Sequence, residues 1–298
     1  MRILRAAVIA AALALPIALP LVAAPVDRFA VGVLRRDGMI IPFGVLDGTK
    51  WSSDWPKPAR HISEVPVTVR SVPKWWWGRP GPRETWQATL GSANRVELHV
   101  TGTNVFDAQC LQQIGLRTDY SPAARPPVPN ARPYPKDGLA VSPPYPVEPI
   151  EVLAIPSVAP RPVVNAFNKA NRMIVLPPIK IEAMYASGHD VSRLYYFEAI
   201  AQHNTTDDPP LCDSLSYGAG WFNVDARGQL RPLSFEVART SCDRAGLLYM
   251  LPLGVVRSDG KVFWIAQWSG WNVEEYRAVE INPDGTRDAF RVSGGGCE

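Results

Sequence analysis

Three consecutive indoles, Trp75, Trp76 and Trp77, stand between Pro73 and Gly78 and are the clearest candidate for binding chemistry in the chain. Successive side chains of a strand point to opposite faces, so all three can be buried only by packing on both sides. Otherwise at least one meets solvent or a ligand. An indole face stacks on sugar rings and on extended peptides while its N–H fixes orientation. The cluster is therefore the candidate ligand site, for a glycan or an extended peptide. The competing account is that the ten tryptophans fill a β core that has no Leu-rich helices. Trp264, Ala266 and Trp268 alternate with Ile265 and Gln267 as one packed face of a strand would. Trp271, just past Ser269-Gly270, is expected to close a turn.

Catalytic patterns are weaker. No Gly-x-Ser-x-Gly elbow occurs, and Ser71-Val72-Pro73-Lys74 matches Ser-x-x-Lys only formally, because that chemistry needs a helical turn that Pro73 opposes. The four histidines, His61, His99, His189 and His203, include no pair at close metal-ligand spacing; His189-Asp190 with His203 and Asp207-Asp208 is the best local grouping. Asn223 to Gly228 imitates the opening of a calcium loop, but Arg227 occupies a ligand position and a turn is the better reading. Glycoside cleavage needs two carboxylates about 5–10 Å apart across a cleft. Glu198, Asp213, Asp243, Glu274 and Glu275 are candidates by type alone, and adjacent Glu274 and Glu275 would point opposite ways in a strand. No catalytic residue is assigned, and no motif calls for a metal or a cofactor.

The cysteines carry a firmer inference. Cys110, Cys212, Cys242 and Cys297 are an even number in a chain built for export. Arg2 and Arg5 precede 21 uncharged residues, Ala6 to Val26, interrupted by Pro16 and Pro20 and ending near the small residues Ala23-Ala24. This is the layout of a cleavable signal peptide, residues 1–24; the alternative is an uncleaved membrane anchor, since a span of about 20 apolar residues can cross a bilayer. Four cysteines allow three pairings. Cys212 with Cys242 is favoured because the stretch between them reads as a hairpin, which leaves Cys110 with Cys297. Closing a loop of about 30 residues should contribute roughly 3 kcal/mol.

Loss of Arg2 and Arg5 lowers the formal charge from +3 to +1. The longest basic cluster is then Arg35-Arg36, which argues against nucleic acid as a partner. After cleavage no stable membrane insertion is expected.

The elements that must position any site read as strands. Phe29–Leu34 and Met39–Leu46 are apolar runs flanking Asp37-Gly38, a β-hairpin pattern. Gly254–Val262 matches Gly32–Ile40 at five of nine positions, including the Asp-Gly turn. Seven strands are expected between Leu194 and Val292: 194–203, 217–224, 229–237, 248–256, 262–268, 276–281 and 289–292. A short helix is expected from Pro162 to Arg172, beginning on proline. Ser121 to Pro162 holds 13 of the 30 prolines, so it is either a linker or an arm packed through Tyr134, Tyr145, Val147, Ile150 and Leu153.

The expected fold class is all-β, an antiparallel hairpin meander. A β-propeller-like arrangement is favoured because the Asp-Gly hairpins resemble those of propeller proteins, an architecture that implies no activity. The alternative is two β-sandwich or barrel domains joined by the Pro-rich segment. The corresponding division is residues 25–120, an N-terminal β region; 121–162, the Pro-rich arm or linker; and 163–298, a C-terminal β region. The two β regions could also form one domain. The functional expectation is a periplasmic or secreted binding or scaffold protein without catalysis, contacting glycan or peptide through exposed tryptophan; the alternative is an envelope hydrolase.

Overall fold

The computed structural model describes residues 28–57, 59–60, 70, 74, 83–90, 94–108, 110–121, 136–171, 177–188, 193–209 and 211–297. The signal segment 1–24 and the indoles Trp75, Trp76 and Trp77 lie outside the described residues, as do His61 and His189.

The first half of the chain forms β1 (Arg28–Arg35), β2 (Met39–Asp47), β3 (Lys50–Ser52), β4 (Ala59–Arg60), β5 (Thr85–Leu90), β6 (Asn94–Ala108), β7 (Leu111–Thr118) and β8 (Lys136–Ser142). Six of these strands, in the ring order β1-β2-β7-β6-β5-β8, close on themselves through antiparallel pairs; β3 and β4 lie alongside β2 and β7. Closure abolishes free edges. The barrel interior is filled by Leu34, Ile40, Trp86, Leu98, Ile114 and Leu116, with the buried Trp86 Nε1 donating to the Arg83 carbonyl at 3.0 Å.

The second half gives β9 (Val147–Glu148), β10 (Glu151–Val152), α1 (Arg161–Asn171), β11 (Ile179–Ser187), β12 (Leu194–Asn204), β13 (Cys212–Val224), β14 (Leu230–Thr240), β15 (Tyr249–Ser258), β16 (Lys261–Ser269), β17 (Val273–Asn282) and β18 (Gly285–Gly296). They form two five-stranded antiparallel sheets, β10-β11-β12-β13-β14 and β18-β17-β16-β15-β9. Tyr185, Tyr196, Trp264, Trp268, Val255 and Val279 pack between them. The opposite side of the second sheet, Phe263, Ile265, Tyr276 and Ala278, packs on Phe29, Val31, Val33, Ile41 and Val141 of the barrel wall. Helix α1 covers the outer face of the first sheet with Val163, Ala166 and Phe167. The layers run barrel, sheet, sheet, helix.

This layering explains the sequence pattern. Strand β1 is apolar at nearly every position because alternate residues serve two cores: Ala30 and Leu34 point into the barrel, and Phe29, Val31 and Val33 point at the sandwich. Strand β16 behaves likewise, with Trp264, Ala266 and Trp268 in the sandwich core. The second Asp-Gly turn is a two-residue hairpin turn, with φ of +47° at Asp259 and +73° at Gly260.

The fold is all-β and antiparallel, as expected, but its hairpins do not build propeller blades. The two similar hairpins sit in different architectures, β1-β2 in the barrel and β15-β16 in the sandwich. A turn fixes local pairing and carries no information about how a sheet closes. The described part of the Pro-rich segment contributes β8 to the barrel and β9 and β10 to the sandwich; Tyr145 stacks on Phe29 at 4.0 Å and donates to the Arg257 carbonyl at 2.6 Å.

Two disulfides join Cys110 to Cys297 and Cys212 to Cys242, the favoured pairing, and no described cysteine is free. Such bonds belong to an oxidising compartment. Cys212–Cys242 ties the start of β13 to the chain just past β14. Cys110–Cys297 fastens the β6-β7 turn to the chain end after β18, closing a loop of 187 residues. No helix among the described residues is long and apolar enough to cross a membrane.

Two outcomes follow. Replacing both Cys110 and Cys297 by serine should lower stability by about 2–5 kcal/mol in a denaturant titration. At Gly218 a Cβ would lie 2.7 Å from both Phe167 and Phe235, so Gly218→Ala should cost about 1–3 kcal/mol in the same titration by displacing α1.

Candidate functional site

Each carboxylate singled out by type is engaged in a structural bond. Glu198, fully buried on β12, accepts the Met250 N–H at 3.0 Å across the sandwich. Asp213 pairs with Arg239 at 3.2 Å, and Asp243 Oδ1 accepts the Ser241 hydroxyl and the Ala245 N–H of an exposed turn. Those two hydrogen bonds, the hydroxyl foremost, hold the Asp243 carboxyl below its ordinary range.

Glu274 and Glu275 do face opposite ways. Glu275 accepts from Arg277 at 2.7 Å and Arg291 at 2.5 Å on the face where Arg277 also lies over the Trp268 ring. Burial would raise its pKa, but hydrogen bonds from Arg291 and Arg277 outweigh that and hold it below the usual range. Glu274 faces the barrel, where it accepts the Tyr276 hydroxyl and the Gln267 amide, the latter at 3.1 Å; Gln267 also donates to Ser269 Oγ at 2.5 Å. Burial first, then the neighbouring Glu274, push the Tyr276 phenol well above its ordinary pKa, so it stays a donor.

Two histidines, His99 and His203, lie among the described residues. His203 is separated from metal chemistry by its own contact: its Nε2 shares a 2.9 Å hydrogen bond with Ser216 Oγ, which also accepts the Asn171 amide at 3.3 Å. A serine beside a histidine is the start of a nucleophile–base pair. Here Ser216 is fully buried among β12, β13 and the end of α1, which leaves a substrate no approach. Asp225 organises its turn by accepting from Arg227 N and Gln229 N, each at 2.9 Å. Among the described residues no group of three His, Cys, Asp or Glu is placed to hold a metal ion.

Of the described tryptophans, Trp51, Trp86, Trp221, Trp264 and Trp268 pack in or against the cores, and Trp55 donates from Nε1 to the Ile114 carbonyl at 2.9 Å. Trp271 is 87% exposed. Its turn is closed instead by the Gly270 N–H donating to the Val273 carbonyl at 2.8 Å, which corrects the role expected for the indole.

Three clefts stand out among the described residues. The first, of about 360 Å³, opens where β5 turns into β6 and β7 ends, lined by Leu90, Asn94, Val96, Glu97, Asp119 and Tyr120. Its two carboxylates bracket His99, which lies 3.0 Å from Asp119 through Nδ1 and 3.3 Å from Glu97 through Nε2. The His99 backbone N–H donates to Asp119 Oδ1 at 2.8 Å and is the main cause holding that carboxyl below its ordinary range. Asp119 is thus a fixed, ionised acceptor facing a cleft that also offers an amide, an aromatic ring and aliphatic walls. That set can accept hydroxyl groups on one side of a ligand and carry its apolar side. The second cleft, of about 410 Å³, is shallow and polar, with Asp37, Thr101, Asn104 and Arg117. The third, of about 90 Å³, lies between barrel and sandwich and contains Gln113 and Tyr276.

Sequence reasoning missed the Glu97–His99–Asp119 arrangement, although an acid and a histidine two apart on a strand, Glu97 and His99, share a face. The third member, Asp119, follows the end of β7 and arrives only through sheet register, which no local pattern records.

The bonds to Glu275 make a pH prediction. With a folded pKa below the ordinary value of 4.5, its contribution is present above that pH and is lost as pH falls through the folded pKa. Glu280, paired with Lys261 and Arg287 and lowered against the effect of its burial, acts in the same sense. Melting temperature should therefore fall as pH drops below about 4.5. Glu275→Gln should cost about 2 kcal/mol at neutral pH and flatten the acid limb, read by denaturant titration at several pH values.

No protein family, curated protein or solved structure matches the chain.

Proposed function

We propose that the chain is an exported binding protein of the periplasm or the cell exterior, without catalysis of its own, whose ligand is a glycan. The observation that carries this reading is the barrel-end cleft. Its volume, about 360 Å³, lies in the range of small-ligand sites. Its walls combine the ionised Asp119, the Glu97 side chain, the Asn94 amide and the ring of Tyr120 with aliphatic Leu90 and Val96. A sugar presents hydroxyl donors along its edge and an apolar C–H face, so both halves of the lining have a counterpart.

The two disulfides support an oxidising destination, and the basic, then apolar, N-terminus supports export. The near-neutral mature charge disfavours nucleic acid. Trp75, Trp76 and Trp77 remain candidates for a second contact with glycan or an extended peptide. A hydrolase is the competing reading; it is disfavoured by the engagement of the candidate carboxylates in structural bonds.

Binding to immobilised peptidoglycan and soluble oligosaccharides, measured with the mature protein, tests the proposal. Asp119→Asn and Asn94→Ala should each weaken glycan binding, the former about tenfold for a charge-assisted hydrogen bond. The triple alanine variant of Trp75, Trp76 and Trp77 should weaken binding to polymer more than to short oligosaccharide. Release of new reducing ends would overturn the non-catalytic part, and absence of binding to every glycan would overturn the ligand class.

A further inference from the structure

Of the large apolar side chains exposed among the described residues, three fall within one short stretch, the chain leading from β10 into α1. Val152, Ile155 and Val158 are 78%, 55% and 78% exposed. One such side chain is ordinary on a protein surface, but a run of them marks a contact. The stretch is held at both ends. At its start Val152 pairs with Tyr185 on the sheet edge, and the Leu153 N–H donates to the Met184 carbonyl at 2.9 Å. At its end the Pro160 carbonyl accepts the Val163 and Val164 N–H groups at 2.9 and 3.0 Å, and Ala159 packs against the core beneath α1. Between these anchors the three side chains stand three residues apart, along at most about 20 Å of chain.

The charge around this ridge has one sign. From Val152 to Ile181 the sequence holds Arg161, Lys169, Arg172 and Lys180 and no acidic residue. Helix α1 turns Val163, Ala166 and Phe167 inward and leaves Arg161, Asn165, Asn168 and Lys169 exposed. The acids that bracket the stretch are engaged by arginines outside it, Glu151 by Arg193 at 2.8 Å and Glu182 by Arg244 at 2.7 Å. Exposed aliphatic side chains are thus followed directly by exposed cations on the outermost layer of the fold.

We infer that this surface is a peripheral membrane contact, on which the protein sits against a bilayer containing anionic phospholipid. Val152, Ile155 and Val158 enter the boundary between headgroups and acyl chains, while Arg161 and Lys169 meet the lipid phosphates. Side chains this exposed project from the surface, and a fluid bilayer accepts them without a matching pocket. A second copy is a poor occupant, because a self-complementary contact would set these cations against one another. The contact is peripheral: no helix among the described residues is long and apolar enough to cross a membrane. Because α1 and the barrel are the two outer layers, seating the helix side on lipid leaves the barrel-end cleft free. The inference does not depend on the glycan reading.

The test uses the mature protein and sedimentation with large vesicles, either phosphatidylcholine alone or an equal mixture of phosphatidylcholine and phosphatidylglycerol. Saturable binding to the mixed vesicles should exceed binding to phosphatidylcholine by at least about tenfold and should weaken in high salt. Arg161→Gln and Lys169→Gln should each weaken it about fivefold, the worth of one cation near an anionic surface. Ile155→Ser combined with Val158→Ser should weaken it by at least about tenfold. Both sites are exposed, so an unchanged melting profile is expected and confirms that the variant is folded. Trp271→Ala, which removes an exposed indole on a different turn, should leave binding unchanged. Equal binding to both vesicles, no binding to either, or full binding by the Ile155, Val158 double variant would each overturn the inference. A dimer seen by ultracentrifugation that the double variant abolishes, without vesicle binding, would overturn it in favour of a second copy.

Discussion

The central strands of the second sheet, β16 and β17 above all, are buried on both faces, and the rest of the molecule is arranged around that constraint. One face completes the sandwich core with Trp264, Ala266 and Trp268; the other is the wall on which the barrel rests, with Phe263, Ile265 and Ala278. A sheet without a wet face cannot leave polar side chains unbonded at low cost. Among its polar residues Gln267 and Tyr276 donate to Glu274, and Gln267 also donates to Ser269. The same pressure directs its charged residues to the rim, where Glu275 meets Arg277 and Arg291. The small cleft between barrel and sandwich lies at the end of this wall.

Much of this architecture is written locally. The helix from Arg161 to Asn171 begins beside Pro162, and the strands from Leu194 onward start and stop close to where alternating apolar residues and Gly-containing turns place them. These features depend on nearest-neighbour geometry, so a sequence can carry them. The favoured cysteine pairing belongs to the same class, because a hairpin brings Cys212 and Cys242 together.

Closure is different. The barrel depends on β2 meeting β7 through only Met39, Ile40, Leu116 and Arg117, and on a strand from the Pro-rich segment, β8, fitting between β1 and β5. Neither contact has a local signature, which is why repeated hairpins pointed toward a propeller. The clefts were illegible for the same reason. Gln113 and Tyr276 lie far apart in sequence and meet only because two halves of the chain share a wall. Asp119 reaches His99 only after β6 and β7 have paired. In the proposed reading, this doubly buried scaffold contributes rigidity: the barrel is anchored at its side and through Cys110–Cys297, leaving one end to present a fixed set of acceptors.

Because one sheet serves two cores, barrel and sandwich should open together. Native-state hydrogen exchange of the disulfide-intact protein measures this directly, by comparing the slowest amides of β5 in the barrel with those of β13 in the sandwich. Shared cores predict a common opening free energy for both, with the same denaturant dependence. Barrel amides that exchange through a separate, lower-energy opening while β13 stays protected would contradict the account.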